Sequence, residues 1–245
     1  MRPANASTRK VWIAGASGFC GQALTTLLSR SNVVYPHIRP RSSRLTSSRE
    51  RWEEQGIEPV ITEWDEVSRH LDRLQPDVII SVIGTTKKRM KREGESYKTV
   101  DVGLNLMLID WATQQDIPPH FVYLSSMGIN LAPLSRYMQA RVEVEDALSS
   151  SGLRYSVIRP GILAGESRDE VRFGEALGAA LNRGLASLFQ ALKLQRLSDQ
   201  VRPLDAPEVA AFIQLLIETP HRGSGGSVYA LPQIIQSLRS GMLGL

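Results

Sequence analysis

An α/β fold, with a doubly wound parallel sheet covered by helices on both faces, is predicted by two features of the sequence. Short apolar runs alternate with helix-like segments, and three glycines stand directly between the first run and the first helix. Alternation of this kind builds βαβ units, whose crossovers bury both faces of a parallel sheet. The 245 residues are 42% hydrophobic and 22% charged, which suits a single globular domain spanning 1–245.

Taken in order, "VWIAG" leads to "GQALTTLLSR", "VVYPHI" to "RLTSSRERWEEQG", and "EPVITEW" to "DEVSRHLDRLQ". "DVIISVIG" continues through a basic segment into "SYKTVDVGLNLMLIDWATQQ", and "HFVYLSS" leads to "RYMQARVEVEDALSSSG". "YSVIRPG" opens the final third, where "APEVAAFIQLLIET" reads as a helix and "SVYALP" as a late short strand. The order is that of a Rossmann-type sheet. Pro36 sits inside the second run and has no amide to donate, so a bulge or a short strand is expected there. Residues 162–200 break the rhythm with "GEALGAALNRGLASLFQALKLQRLS", whose small and apolar residues recur at helical spacing. A small helical C-terminal cap packed on its own domain is expected, the alternative being a dimer or membrane contact.

Bulk features exclude several function classes. The longest apolar runs fall short of the roughly 20 residues that a membrane span requires, and "MRPANASTRK" holds no apolar signal core. A cytoplasmic protein without a membrane span is expected. Cys20 is the single cysteine, so neither a disulfide framework nor a cysteine metal site can form, and four scattered histidines suggest no metal. The net charge of +4 is modest; its distribution says more. Basic residues gather in "IRPRSSR" and "TTKKRMKR", each after a predicted strand, where α/β folds place ligand loops.

In "GASGFCG" the glycines are Gly15, Gly18 and Gly21. Glycine turns the backbone sharply and lets a pyrophosphate approach without a Cβ in the way, while the helix start supplies amides and a favourable dipole. Ser17 can add a hydroxyl contact and Phe19 completes the cofactor-side loop; Cys20 fills space beneath the turn. The second strand ends in Arg39, with Arg41 and Arg44 close behind and no acid in that turn to bind the two ribose hydroxyls of NAD. Guanidinium groups suit an adenosine 2′-phosphate, so NADP(H) is favoured over NAD(H), the alternative being a solvated basic loop. Asp65, past the third strand, could lie near the adenine or cap the following helix.

With "GASGFCG", "DVIISVIGTT", "FVYLSS", "YMQAR" and "VIRPGIL" in this order, the sequence resembles the extended and atypical branch of the short-chain dehydrogenase/reductase superfamily. The likeness covers most of residues 11–165 and extends to "RPLDAPEVAAFIQLLI". "GTT", "LSS", the Tyr-x-Gln-x-Arg pattern and "RPG" look most like the Tat-interacting-protein-like oxidoreductases. The resemblance implies an NADP(H)-dependent enzyme acting on a carbonyl or alcohol, with Tyr137 as acid/base, the cation Arg141 four residues later, and Ser126 hydrogen-bonding the reacting oxygen. Ser125 is the alternative serine, and the pair could instead terminate its strand. It also implies that Gly84 and Thr85 line the cofactor, and that Pro160, within Arg159–Gly161, shapes its nicotinamide end.

Tyr137 and Arg141 lie one helical turn apart and can face one cleft. A cation beside a phenol favours the phenolate, which eases proton transfer near neutral pH. The family pattern has lysine where Arg141 stands, and a broad planar guanidinium demands a different geometry from a compact ammonium. Tyr137 could therefore be catalytic, cofactor-lining or structural. Two further readings follow: a non-catalytic NADP(H)-binding sensor or assembly protein, and a nucleotide-sugar epimerase or dehydratase, for which the chain is short. The segment 87–92 is read as a basic loop, exposed to solvent or facing an anionic small-molecule substrate. No nucleic-acid motif accompanies it. A homodimer is a family-level expectation.

Overall fold

The computed structural model describes residues 8–129, 135–161, 163, 203–219 and 225–242. Within them seven strands form one sheet: β1 (Lys10–Ala14), β2 (Val33–Ile38), β3 (Val60–Ile61), β4 (Val78–Ser81), β5 (His120–Leu124), β6 (Tyr155–Arg159) and β7 (Gly226–Ala230). All pairings are parallel and the spatial order is β3-β2-β1-β4-β5-β6-β7. The predicted Rossmann-like α/β architecture is observed. The expected helical cap at 162–200 falls almost wholly outside the described residues.

Strand side chains alternate between two cores, as the period of two requires. Val11 and Ile13 of β1, with Val78, Ile80 and Val122, face α1 (Phe19–Leu28), α7 (Ala206–Glu218) and α8 (Leu231–Met242). Trp12 and Ala14, with Ile79, Phe121 and Tyr123, face α3 (Val67–Leu74), α5 (Leu104–Thr113) and α6 (Arg136–Ser150). α2 (Leu45–Glu53) sends Trp52, fully buried, into the first core. α8 follows β7 directly, where the sequence predicts only a strand; its Leu231, Ile234, Ile235 and Leu238 recur at helical spacing and bury in the first core.

Pro36 neither bulges nor shortens β2, which pairs with β1 through Lys10↔Val33 to Ile13↔Pro36. Val33 donates its amide to Arg9 on the β1 side, whereas the carbonyl of Ile38 accepts from Thr62 on the β3 side. Alternation along the strand therefore turns the Pro36 nitrogen toward β3. β3 pairs only with His37 and Ile38, so the missing donor falls just before that ladder begins.

The basic segment after β4 is not a loop. It forms α4 (Lys87–Glu93), with Thr86 as N-cap accepting the Arg89 amide at 3.2 Å. Gly94 ends α4 in the left-handed region at φ 66°. A wide π-type turn, Tyr97–Gly103, then feeds α5; its start is fixed by a capping box between Ser96 and Thr99. These two elements carry several of the groups that define the candidate site.

Candidate active site

The direction of strand order reverses at β1: β2 and β3 lie to one side, β4 to β7 to the other. A crevice outside the strand ends at such a switch point is where open α/β sheets receive ligands. The glycine loop closes it. Gly15 has φ 85°, and a Cβ there would stand 2.9 Å from the Val82 carbonyl oxygen beyond β4, so the loop runs directly against the neighbouring strand. At Gly21 a Cβ would collide with the carbonyl oxygens of Gly15 and Ala16. The third glycine thus allows α1 to lie on its own loop.

Gly18 is the N-cap of α1, without a side-chain cap and with no acidic residue in the first turn. An anion such as a pyrophosphate fits this helix start, where dipole and amides favour negative charge and no carboxylate opposes it. Phe19 opens α1 and packs against the first core; Cys20 is buried below it. Ser17 stands at the rim with its hydroxyl 3.4 Å from that of Ser42, and its carbonyl accepts from Arg44 Nη1 at 3.4 Å. The turn after β2 is thereby joined to the glycine loop.

The arginines of that turn differ in surroundings. Arg39 is largely covered and forks across two carboxylates, Nη1 to Glu95 Oε1 at 2.9 Å and Nη2 to Glu93 Oε2 at 3.3 Å. Arg41 is 87% exposed and loosely paired with Glu63 at 3.4 Å. Asp65 lies exposed in a short 3-10 turn, Trp64–Glu66, and α3 begins without a side-chain cap. The capping role considered for it is therefore absent.

On the other side of the crevice Arg141 is buried inside α6. Its Nη1 donates to the carbonyls of Ile83 and Leu124, at 3.2 Å each, and to Tyr123 Oη at 2.9 Å. Its Nη2 donates to Ile83 O at 3.2 Å and to Asp101 Oδ1 at 3.0 Å. Asp101 Oδ2 also accepts the Thr85 amide at 3.1 Å. Burial works against the Arg141 charge, but Tyr123, Tyr137 and Asp101 outweigh it and hold the guanidinium protonated more firmly than an ordinary arginine. Burial pushes the Tyr123 phenol up to about 12. The ion pair crosslinks β4, the π-type turn, β5 and α6 at the crevice wall.

Tyr137, in the first turn of α6, is half-buried. The guanidinium carbon of Arg141 lies 5.0 Å from its ring centroid, and the centroid of the Tyr97 ring lies 5.6 Å from it. Gly84 joins this group, since a Cβ there would approach Arg141 Nη2 to 3.0 Å. Thr85 is fully buried and donates its hydroxyl to Glu95 Oε2 at 3.2 Å. Ser126, past the end of β5, directs its hydroxyl to the Met127 carbonyl at 3.3 Å. Ser125 is buried and donates to Glu145 Oε1 at 2.5 Å, and Glu145 is in turn gripped by Arg159. Pro160 is buried, its carbonyl accepting the Met127 amide at 2.9 Å.

Sequence reading missed Asp101, Tyr97, Glu93, Glu95 and Glu145. The spacing of Arg89 to Glu93 would have marked an i,i+4 helical pair. No sequence signal links Asp101 to Arg141, forty residues apart. Among the described residues there is no grouping of histidine, cysteine or acids that could hold a metal.

The model of the NAD dependent epimerase/dehydratase family matches residues 11–231. The chain belongs to that family. Another protein similar to this epimerase/dehydratase-family chain is "Protein FMP52, mitochondrial" of Candida albicans, 26% identical over 223 residues, covering 89% of this chain and 90% of its relative. Solved structures share the fold at lower identity. UDP-glucuronic acid 4-epimerase from Bacillus cereus in complex with NAD superimposes with a TM-score of 0.63 at 15% identity, covering 90% of this chain and 76% of that one. dTDP-4-dehydrorhamnose reductase from Bacillus anthracis in complex with NADP gives 0.59 at 16% identity, covering 93% and 75%.

The expected cytoplasmic location is corrected by these relatives. Five curated proteins match, and each is named as mitochondrial. No helix among the described residues is long and apolar enough to cross a membrane.

Proposed function

We propose that this chain is an NADP(H)-dependent oxidoreductase of the short-chain dehydrogenase/reductase type, acting on a carbonyl or alcohol of a small molecule in mitochondria. The observation that carries the reading is the pairing of an anion-ready glycine loop on β1–α1 with a half-buried Tyr137 held beside the Arg141 charge. Gly15, Gly18, Gly21, Ser17 and Phe19 would hold the dinucleotide pyrophosphate, with Gly84, Thr85 and Pro160 shaping the cleft wall. Arg41 supplies an exposed cation for a 2′-phosphate, whereas Arg39 beside it is already paired with Glu93 and Glu95.

The nicotinamide of such a cofactor supplies the hydride step. Tyr137 moves the proton to or from the substrate oxygen at its hydroxyl, and Ser126 orients that oxygen. Arg141 acts on Tyr137 from beside its ring. Its Nη1 and Nη2 groups are directed to the main chain, Tyr123 and Asp101, so it acts on Tyr137 through the local potential.

The test is NADPH oxidation by purified protein across a carbonyl panel. Tyr137→Phe should lower the turnover rate by about 10²–10⁴, the range for a lost general acid/base, while NADPH binding persists. Binding without any Tyr137-dependent turnover would instead favour a sensor. A second reading, nucleotide-sugar epimerisation or dehydration, is favoured by the family match. It predicts a tightly retained cofactor and turnover of nucleotide sugars.

A further inference from the structure

The two carboxylates on Arg39 come from a compact, built arrangement. Glu93 is the last residue of α4, Glu95 the second residue after it, and Gly94 between them takes the left-handed turn that aims both at one guanidinium. Glu95 accepts from Arg39 at 2.9 Å, Arg89 at 2.7 Å and Thr85 Oγ1 at 3.2 Å. Glu93 accepts from Arg39 at 3.3 Å, Arg89 Nε at 3.1 Å and Arg92 at 2.6 Å. Side-chain exposures of 15% for Glu95, 18% for Arg39, 22% for Glu93 and 24% for Arg89 place the cluster well out of bulk water, where such pairs are little screened. Burial alone would raise the Glu93 carboxyl, but the hydrogen bonds of Arg92 and Arg89 and the charges of Arg89 and Arg39 bring it down to about 2.

Arg39 and Arg89 against Glu93 and Glu95 are neutral as a set, with Arg92 at the outer edge. A phosphate monoester brings about −1.5 to −2 charge at neutral pH. Entering beside Arg39, it meets two carboxylates already using the guanidinium's fork. An uncharged ribose diol meets no such opposition, and a carboxylate is the group that accepts from ribose hydroxyls.

We propose that Glu93 and Glu95 mask Arg39 and thereby tune the cofactor specificity of this chain, leaving Arg41 as the exposed cation and narrowing the preference for NADP(H) over NAD(H) that the arginines after β2 would otherwise give. This rests on the dinucleotide reading of the site above. The two acids are specificity determinants supplied from α4 and the segment after it, in place of an acid at the end of β2.

The experiment measures dissociation constants of NADPH and NADH for the full chain by fluorescence or calorimetry, for wild type, Glu95→Gln and Glu93→Gln/Glu95→Gln. In the double variant NADPH should tighten by about tenfold or more, the scale of a freed charge-assisted phosphate contact, with NADH changed less than about twofold. Adding Arg39→Ala to that variant should abolish the gain. An unchanged NADPH-to-NADH ratio in a folded variant overturns the proposal. Wild type supplies an independent measurement should the variants fail to fold: adenosine 2′,5′-bisphosphate and 5′-AMP should differ by less than about tenfold, and a ratio above about a hundred means Arg39 is not masked. Failure of wild type to bind either dinucleotide would sink the dinucleotide reading itself, an outcome distinct from binding both with an unaltered ratio.

Discussion

Arg141 shows how one residue can carry a family pattern and change its physics. A lysine at this position would offer three donors on a flexible stem, whereas the guanidinium reaches two carbonyls, a phenol and a carboxylate from one plane. Removing it leaves Asp101, fully buried, without its ion-pair partner. Arg141→Met should therefore destabilise the protein by about 3–5 kcal/mol, the cost of breaking a buried pair from one side, measurable by urea unfolding. Loss of activity without loss of stability would show instead that the arginine serves the reaction alone.

A second residue sets a dependence on pH. His37 is buried between Trp12 and Trp64, with Nε2 2.9 Å from the Thr62 carbonyl. Burial is the main reason that its pKa is lowered from 6.5 to about 4, with the charges of Arg39 and His70 adding to it against the Thr62 hydrogen bond. The unfolded chain binds a proton at His37 below pH 6.5 that the folded chain does not bind until about pH 4. Its contribution is thus fully present above pH 6.5 and is lost as pH falls toward 4, by on the order of 3 kcal/mol. Denaturant midpoints followed from pH 7 to pH 4 should fall for wild type, and this component of the slope should vanish in His37→Phe.

At the scale of elements, the β1–α1 unit is legible from sequence because each glycine answers a local constraint. Gly21→Ala places a methyl against two main-chain oxygens that cannot move without shifting the loop from the helix. It should cost roughly 1–3 kcal/mol as an overpacked contact and should weaken dinucleotide binding with it; thermal unfolding and cofactor titration of the same sample check both. α4 was legible only in part. The run of cations in "KKRMKR" suggested a loop, yet Thr86 and Gly94 are ordinary start and stop signals, and Arg89 and Glu93 have helical spacing. Charge density masked the caps.

At the scale of the whole molecule, the seven strand-like runs each became a strand of one parallel sheet. Apolar runs with flanking turns suffice for this because a parallel sheet buries both faces. The cytoplasmic location expected from the missing apolar signal core disagrees with the five curated relatives, each named as mitochondrial.

The sequence alone determined the alternation of strands and helices of a Rossmann unit, the glycine loop between its first strand and first helix, and the placing of Tyr137 and Arg141 one turn apart on one helix. These follow from periodicity and local spacing, which act over a few residues. Only the tertiary structure decided what the cations face. Arg39 meets Glu95 across 56 positions, and Arg141 meets Asp101 across 40. Charge pairing depends on distance in space, which falls within hydrogen-bond range here only after β2, β4 and β5 have brought their following segments to one end of the sheet.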